Sequence, residues 1–180
     1  MNIIVLNGSP RLDGNTSALI KELSKGVESS GKHQIEIINV TKKNLLGCLA
    51  CEGCRKNDGN CVLKDDSSEI ITQLVNSDMI IFATPVYWWG VSAQLKIVID
   101  KFYSTMHLNT LKNKKIGVLS VGANKLSNPQ YELISQQFAC ISKFLDWEIL
   151  FDESVSAYER NEVLKDEELL NRFKSLGTNL

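Results

Sequence analysis

The chain has 180 residues, of which 43% are hydrophobic and 23% charged, and its formal net charge is -1. This size predicts a single domain over residues 1–180, and the balanced charge argues against nucleic acid or an anionic membrane as a partner. The apolar start, residues 1–7, ends at Gly8, too early for a secretion signal, and no apolar stretch approaches the roughly 20 residues that span a bilayer. We therefore expect a cytoplasmic protein.

Apolar and β-branched runs alternate with helix-like segments along the chain. The pattern predicts five strands, at residues 3–6, 35–40, 79–83, 116–121 and 148–151. Five helices with apolar residues at helical spacing are predicted at residues 16–30, 65–77, 91–103, 130–145 and 166–176. This alternation predicts an α/β fold, a parallel sheet with helices on both faces. Ligands of such sheets bind beyond the carboxyl ends of the strands, so the loops that follow the strands are the candidate sites.

The loop after the first strand has the composition of a phosphate-binding loop. Its sequence is Gly8-Ser9-Pro10-Arg11-Leu12-Asp13-Gly14-Asn15-Thr16-Ser17. The helix that begins inside it offers unpaired backbone N–H groups and a partial positive charge. Further donors are the side chains of Ser9, Arg11, Asn15, Thr16 and Ser17. A turn with an ordinary helix cap is the alternative, whereas the Mg-nucleotide P-loop and the dinucleotide fingerprint are both absent.

The loop after the third strand is rich in aromatic residues. Its sequence is Pro85-Val86-Tyr87-Trp88-Trp89-Gly90. Three adjacent aromatic rings at a strand end suit the face of a planar ligand, and the backbone of a stiff loop suits its polar edge. Burial in the core or in a dimer interface is the alternative for each ring. Ser120 and Gly122, at the end of the fourth strand, form a third candidate loop, for which a plain turn is the alternative.

Four of the five cysteines fall in one segment, residues 41–64, that is predicted to be an irregular insertion in the domain. They are Cys48, Cys51, Cys54 and Cys61, with the spacing C-x2-C-x2-C-x6-C. Four thiolates suit an Fe–S cluster or zinc, while free thiols or a redox disulfide are the alternatives. The fifth, Cys140, lies in an apolar helical pattern and is predicted to be a small core residue.

The first two loops together resemble those of the NAD(P)H-dependent FMN reductase branch of the flavodoxin-like superfamily. The resemblance implies a three-layer sandwich with strand order 2-1-3-4-5, with FMN held by the phosphate loop and by the Pro-x-Tyr-x-x-Gly loop at residues 85–90. NAD(P)H would supply electrons to a flavin, quinone or other small acceptor. No catalytic side chain is implied, because flavin N5 carries the chemistry. A homodimer or tetramer is also implied, with the aromatic loop and the helix after it as interface candidates.

The cysteine pattern resembles that of the iron–sulfur flavoproteins, in which a [4Fe–4S] cluster and FMN share one chain. It implies an alternative function, an electron carrier between ferredoxin and FMN with the four clustered cysteines as cluster ligands.

The Asp100-Lys101 pair also resembles a family pattern and is expected to form a solvated or interface salt bridge. Residues 152–168 are predicted to form a solvated, helix-rich surface.

Overall fold

The computed structural model describes all 180 residues as five strands that alternate with five α-helices. The strands are β1 (Asn2–Asn7), β2 (Gln34–Asn39), β3 (Met79–Pro85), β4 (Lys115–Gly122) and β5 (Glu148–Ser156). The helices are α1 (Asn15–Ser30), α2 (Ser67–Asn76), α3 (Ala93–Lys101), α4 (Pro129–Leu145) and α5 (Glu167–Thr178). All strand pairs are parallel, and their order is β2-β1-β3-β4-β5. The predicted flavodoxin-like fold and strand order are confirmed.

The sheet separates two apolar layers. Because the central strands are covered on both faces, β1 and β3 are almost continuously apolar. On one face, the Phe82 ring lies 4.7 Å from the Phe138 ring of α4 and 5.9 Å from the Trp147 ring, measured between centroids. On the other face, residues of β1 and β3 pack with α1 and α5. None of the helices has the length and apolar character that crossing a membrane demands.

A backbone contact between α1 and α5 fixes the helix that begins in the phosphate loop. A Cβ atom added to Gly26 of α1 would lie 1.9 Å from the carbonyl oxygen of Lys174. One added to Gly177 of α5 would lie 2.0 Å from the carbonyl oxygen of Leu23. The two helices therefore meet at a distance that only glycine permits on both sides.

The predicted and observed elements agree to within two residues at each end, except for the fifth strand. β5 continues to Ser156, and residues 152–156 pair with β4, so the predicted helix-rich surface is wrong there. As an edge strand, β5 buries only scattered residues such as Phe151 and Val155, and this hides its apolar pattern. Cys140 is exposed rather than buried. It lies two residues, or about 200°, around α4 from the buried Phe138.

Candidate functional site

Four loops meet in one cleft at the carboxyl edge of the sheet. The cleft is lined by the phosphate loop (Ser9, Arg11, Gly14, Asn15, Thr16), the start of the aromatic loop (Pro85, Val86, Tyr87), the end of β4 and its loop (Val121, Gly122, Ala123), and the loop after β5 (Ala157, Tyr158, Glu159, Arg160). The first three are loops that the sequence singles out. The loop after β5 was not predicted to contribute.

Internal hydrogen bonds hold the phosphate loop open toward the cleft. The backbone N–H of Gly8 donates to the carbonyl of Ala83 (2.8 Å), which ties the start of the loop to β3. The Ser9 hydroxyl accepts from the N–H of Arg11 (3.2 Å), and the Ser17 hydroxyl donates to the Arg11 carbonyl (3.0 Å). No side chain caps α1, and its first turn carries no acidic residue. The N-terminus of α1 therefore presents unpaired N–H groups to an anion.

The side chains predicted to bind phosphate are not equally available to a ligand. Thr16 and Ser9 are buried against the cleft, and Arg11 is exposed at its edge. The Asn15 amide is occupied at both ends, since Nδ2 donates to the carbonyl of Glu159 (2.8 Å) and Oδ1 accepts from the N–H of Val163 (3.3 Å). Ser17 lies outside the cleft lining. Both bonds direct the Asn15 amide toward the loop after β5, although Nδ2 keeps a second N–H that these bonds do not use.

The aromatic loop is a two-residue turn that holds two tryptophans in left-handed backbone conformations. Tyr87 and Gly90 exchange two backbone hydrogen bonds of 3.0 and 3.1 Å. Between them, Trp88 has φ 49° and Trp89 has φ 60°, as in a type I′ turn, where Asn-Gly is the usual sequence. Trp88 is 92% exposed and Trp89 47% exposed, and neither lines the cleft. Tyr87 is the aromatic residue of this loop that does.

The third predicted loop contributes only in part. Gly122 lines the cleft and accepts a hydrogen bond at its carbonyl from the N–H of Ala157 (2.8 Å), so it joins the loops after β4 and β5. Ser120 is 1% exposed, and its hydroxyl lies 2.9 Å from that of Ser154 on the neighbouring strand. The Ser120 side chain therefore faces β5 rather than the cleft.

The loop after β5 brings a second guanidinium to the cleft. Arg160 forms an ion pair with Asp13 of the phosphate loop, and both side chains are more than half exposed. The hydrogen bond from Arg160 holds the pKa of Asp13 below its ordinary value of 3.8, against a smaller opposing effect of burial. No local pattern marks these residues, because Asp13 and Arg160 lie 147 positions apart in the chain.

The four clustered cysteines are the right kind of donors for a metal centre, but the structure does not gather them. Cys48 and Cys51 are exposed, Cys54 and Cys61 are half-buried, and all are free thiols. No three cysteine, histidine or carboxylate side chains lie together as a metal-binding group. As folded here, the segment does not form a site that fits a cluster.

A buried ion pair lies beneath the cysteine segment. Lys101 Nζ lies 3.4 Å from a carboxylate oxygen of Asp65, with side-chain exposures of 2% and 0%, and donates to the Cys61 sulfur at 3.1 Å. The prediction of a solvated or interface salt bridge is therefore wrong for Lys101, whose pair is buried within the chain, whereas Asp100 pairs with Lys96 at the surface. The residue spacing could not show this, because the partner of Lys101 is 36 positions away.

The charges of this buried pair stabilise each other. Burial raises the pKa of Asp65, but hydrogen bonds from Ser67 and Leu46 and the charge of Lys101 outweigh it, and the net shift is downward from 3.8. Burial lowers the pKa of Lys101, but the hydrogen bond to Cys61 and the charge of Asp65 outweigh it, and the net shift is upward from 10.5. Both groups are therefore ionised across the neutral range.

The fold and the cleft define a flavodoxin-like α/β protein with an uncapped helix N-terminus and an aromatic loop at one edge of its sheet. The family model for NADPH-dependent FMN reductase matches residues 1–143. The chain belongs to this family.

Curated relatives include both types of protein that the sequence resembles. An iron-sulfur flavoprotein of Methanocaldococcus jannaschii is 38% identical over 125 residues, which are 69% of this chain and 64% of that protein. A Bacillus subtilis protein whose name describes an NAD(P)H-dependent FMN-containing oxidoreductase is 30% identical over 153 residues, 81% of this chain and 79% of its own length. The chain thus spans less than two thirds of the length of the iron-sulfur flavoprotein.

Solved structures of similar fold cover nearly the whole chain. The Trp repressor binding protein from Bacillus subtilis has a TM-score of 0.69 and 25% identity, and the match covers 97% of this chain and 98% of that one. The NAD(P)H:quinone oxidoreductase from Methanothermobacter marburgensis has a TM-score of 0.75 and 16% identity, with 99% and 96% of the two chains covered. At 16% identity, the second likeness concerns the fold alone.

Proposed function

We propose that this chain binds FMN in the cleft and transfers electrons from NAD(P)H to a small acceptor such as a flavin or quinone. One observation carries the proposal: the uncapped N-terminus of α1 and the start of the aromatic loop, residues 85–87, line the same cleft. A phosphate suits the first feature, and a planar ring suits the second. Bound flavin would supply the hydride-accepting chemistry, so the chain's own residues bind, orient and shield.

Residues at the two ends of the cleft would have different roles. At the α1 end, the first-turn N–H groups with Ser9, Thr16 and Arg11 would hold the phosphate, since charge-assisted bonds from guanidinium groups suit phosphate oxygens. At the other end, Pro85, Val86, Tyr87 and Gly122 would contact the ring. Trp88, Trp89 and Gly90 follow Tyr87 without lining the cleft, and we propose that they border the entry of the second substrate or a second copy of the chain.

The phosphate assignment is tested by comparing FMN with riboflavin, which lacks the phosphate. We expect Arg11→Ala to raise the dissociation constant of FMN about 10- to 100-fold, as loss of a charge-assisted hydrogen bond predicts. Riboflavin binding should be unchanged. Arg172→Ala is the matched control, because Arg172 is a half-exposed arginine paired with Glu153 away from the cleft. Equal affinity of the unmodified chain for FMN and riboflavin would contradict the phosphate site.

The activity is tested separately, by following NAD(P)H oxidation by the FMN-loaded chain with a flavin or quinone as acceptor. Steady oxidation that depends on added acceptor supports the proposal. An FMN-loaded chain that neither NADH nor NADPH reduces would refute the oxidoreductase assignment while leaving the FMN site in place.

A second candidate is an iron–sulfur flavoprotein that exchanges electrons with ferredoxin. The cysteine spacing and the relative that bears this name favour it, whereas the present placement of the cysteines does not. Anaerobic purification followed by iron and sulfide analysis tests it, with about four iron atoms per chain expected for a [4Fe–4S] cluster. Flavin without iron or sulfide would exclude this candidate, and reduction by ferredoxin but not by NAD(P)H would favour it.

A further inference from the structure

The loop after β5 is fastened to the phosphate loop at several points. We call residues 157–163 of this loop the latch segment. Asn15 donates to Glu159 and accepts from Val163, so one side chain bonds the segment at two positions. Arg160 pairs with Asp13, two residues before Asn15. Ala157 in turn donates to the carbonyl of Gly122 at the end of β4. The latch segment thus connects the phosphate loop to the opposite wall of the cleft.

Asn15 lies at the point where the direction of the backbone determines the geometry of the α1 N-terminus. It is the first residue of α1, directly after Gly14. The N–H groups of a helix's first turn point along the axis, so the direction of that turn decides where they converge. Both polar ends of the Asn15 side chain are used to hold this turn against residues 144 and 148 positions away. These two bonds fix the direction of the first turn, and with it the geometry of the anion site.

Arg160 compensates a charge that does not suit an anion site. Asp13 lies in the phosphate loop, between Arg11 and the start of α1, and a carboxylate there repels a phosphate. The Arg160 guanidinium forms a hydrogen-bonded ion pair with that carboxylate while lining the cleft. Of the two arginines that line the cleft, Arg160 is thus paired with Asp13, whereas Arg11 forms no ion pair.

We infer that the latch segment prepares the phosphate loop for FMN, with Asn15 and Arg160 as positioning residues that act without touching the phosphate. Asn15 fixes the first turn of α1, and Arg160 neutralises Asp13. This inference rests on the proposed position of the FMN phosphate at the α1 N-terminus. It adds a fourth wall, from a part of the chain that carries no recognised motif, to the three loops that the sequence singles out.

The Arg160 role is tested by a double-mutant cycle with Asp13, in which the full-length chain is titrated with FMN and with riboflavin. We expect Arg160→Ala to raise the dissociation constant of FMN about fivefold, near the upper end for an exposed pair, and to leave riboflavin binding unchanged. Asp13→Asn should bind FMN at least as well as the unmodified chain. Adding Arg160→Ala to Asp13→Asn should have no further effect, because the charge to be neutralised is gone.

Controls separate the inference from the proposed function. Arg172→Ala should leave both affinities unchanged, and 1 M salt should remove the Arg160→Ala effect, because both partners are exposed. If Arg160→Ala weakens FMN equally with and without Asp13→Asn, Arg160 binds the phosphate itself and the positioning role is overturned. If Arg11→Ala lowers FMN affinity but Arg160→Ala does not, the phosphate site stands and the Arg160 role fails. A chain that does not prefer FMN to riboflavin overturns both.

The proposed role of Asn15 is tested by a separate substitution. Asn15→Ala removes two hydrogen bonds, so we expect FMN affinity to fall about tenfold. A general loss of folding would weaken FMN and riboflavin together, whereas a displaced phosphate loop weakens FMN alone. Thermal melting of the variant without flavin checks that it is folded. Unchanged FMN affinity in a folded Asn15→Ala variant would overturn this part of the inference.

Discussion

Replacing the two tryptophans of the aromatic loop with the usual type I′ sequence should make the protein more stable. Trp88 and Trp89 both have positive φ, and the left-handed conformation costs an L-residue about 1–2 kcal/mol. Asn and Gly adopt it far more readily. Against this gain stands the contact between the two indole rings, 6.3 Å between centroids and worth at most about 0.5–1.5 kcal/mol. Trp88 is 92% exposed, so little other packing is lost there, whereas the half-buried surface of Trp89, 47% exposed, is worth roughly 1–1.5 kcal/mol.

The balance predicts that Trp88→Asn/Trp89→Gly gains about 1 kcal/mol of unfolding free energy, the sum of two relieved residues less one ring contact and the half-buried surface of Trp89. For a chain of this size, the melting temperature should rise by roughly 2–4 °C. Urea unfolding and thermal melting of the flavin-free chain measure both. Tyr158→Asn is the control, because Tyr158 is 82% exposed and its φ is not positive, so that variant should gain nothing.

A double variant no more stable than the unmodified chain would refute the reasoning from backbone strain. A gain in stability accompanied by weaker turnover of the acceptor would show that the strain is maintained for function, as strained residues at binding sites often are. Equal turnover would instead mean that the tryptophans do not border the substrate's path.

Two further predictions concern stability. Gly177→Ala should lower the free energy of unfolding by about 1–3 kcal/mol, because the Cβ of alanine would lie 2.0 Å from the Leu23 carbonyl oxygen. This cost outweighs the better helix propensity of alanine. Urea unfolding measures it, and Gly47→Ala, at a glycine with open space around it, is the neutral control. Asp65→Asn should cost about 3 kcal/mol at pH 7, since it leaves Lys101 buried without its carboxylate. Because the pKa of Asp65 is lowered in the folded state, the carboxylate's contribution to the free energy of unfolding is fully present above pH 3.8 and is lost as the pH falls through the folded-state pKa. If Asp65→Asn were equally destabilising in acid below that pKa, the reasoning would be contradicted.

The parts of the fold that the sequence predicts well are those whose environment leaves a local pattern. β1 and β3 are covered on both faces and are nearly all apolar, so their bounds are clear from composition. β5 lies at the sheet edge, where polar residues such as Asp152 and Glu153 interrupt the pattern, and it extends further than predicted. The exposure of Cys140 follows from the rotation of α4 about its axis, which the buried Phe138 sets.

The candidate site, like the fold, has parts that the sequence predicts and parts that only the structure shows. The phosphate and aromatic loops are contiguous in sequence, so their composition alone indicates a ligand. Arg160, Glu159 and Lys101 take their roles from partners 36 to 147 positions away, and no spacing rule indicates such pairs. The unusual left-handed residues are likewise visible only in the structure: apart from Asn and Asp, they are Trp88 and Trp89 in the aromatic loop and Ala50 and Glu52 in the cysteine segment.

The glycine contact between α1 and α5 has a consequence for the order in which the site is completed. The phosphate loop is synthesised near the start of the chain, but Gly26 meets its partner only when Lys174 and Gly177 have been made. The backbone carbonyl that Asn15 binds belongs to Glu159, which follows all five strands. A nascent chain on the ribosome can therefore pair β1 to β4 while its phosphate loop still lacks these contacts. Tight retention of the cofactor would then distinguish finished molecules from truncated ones.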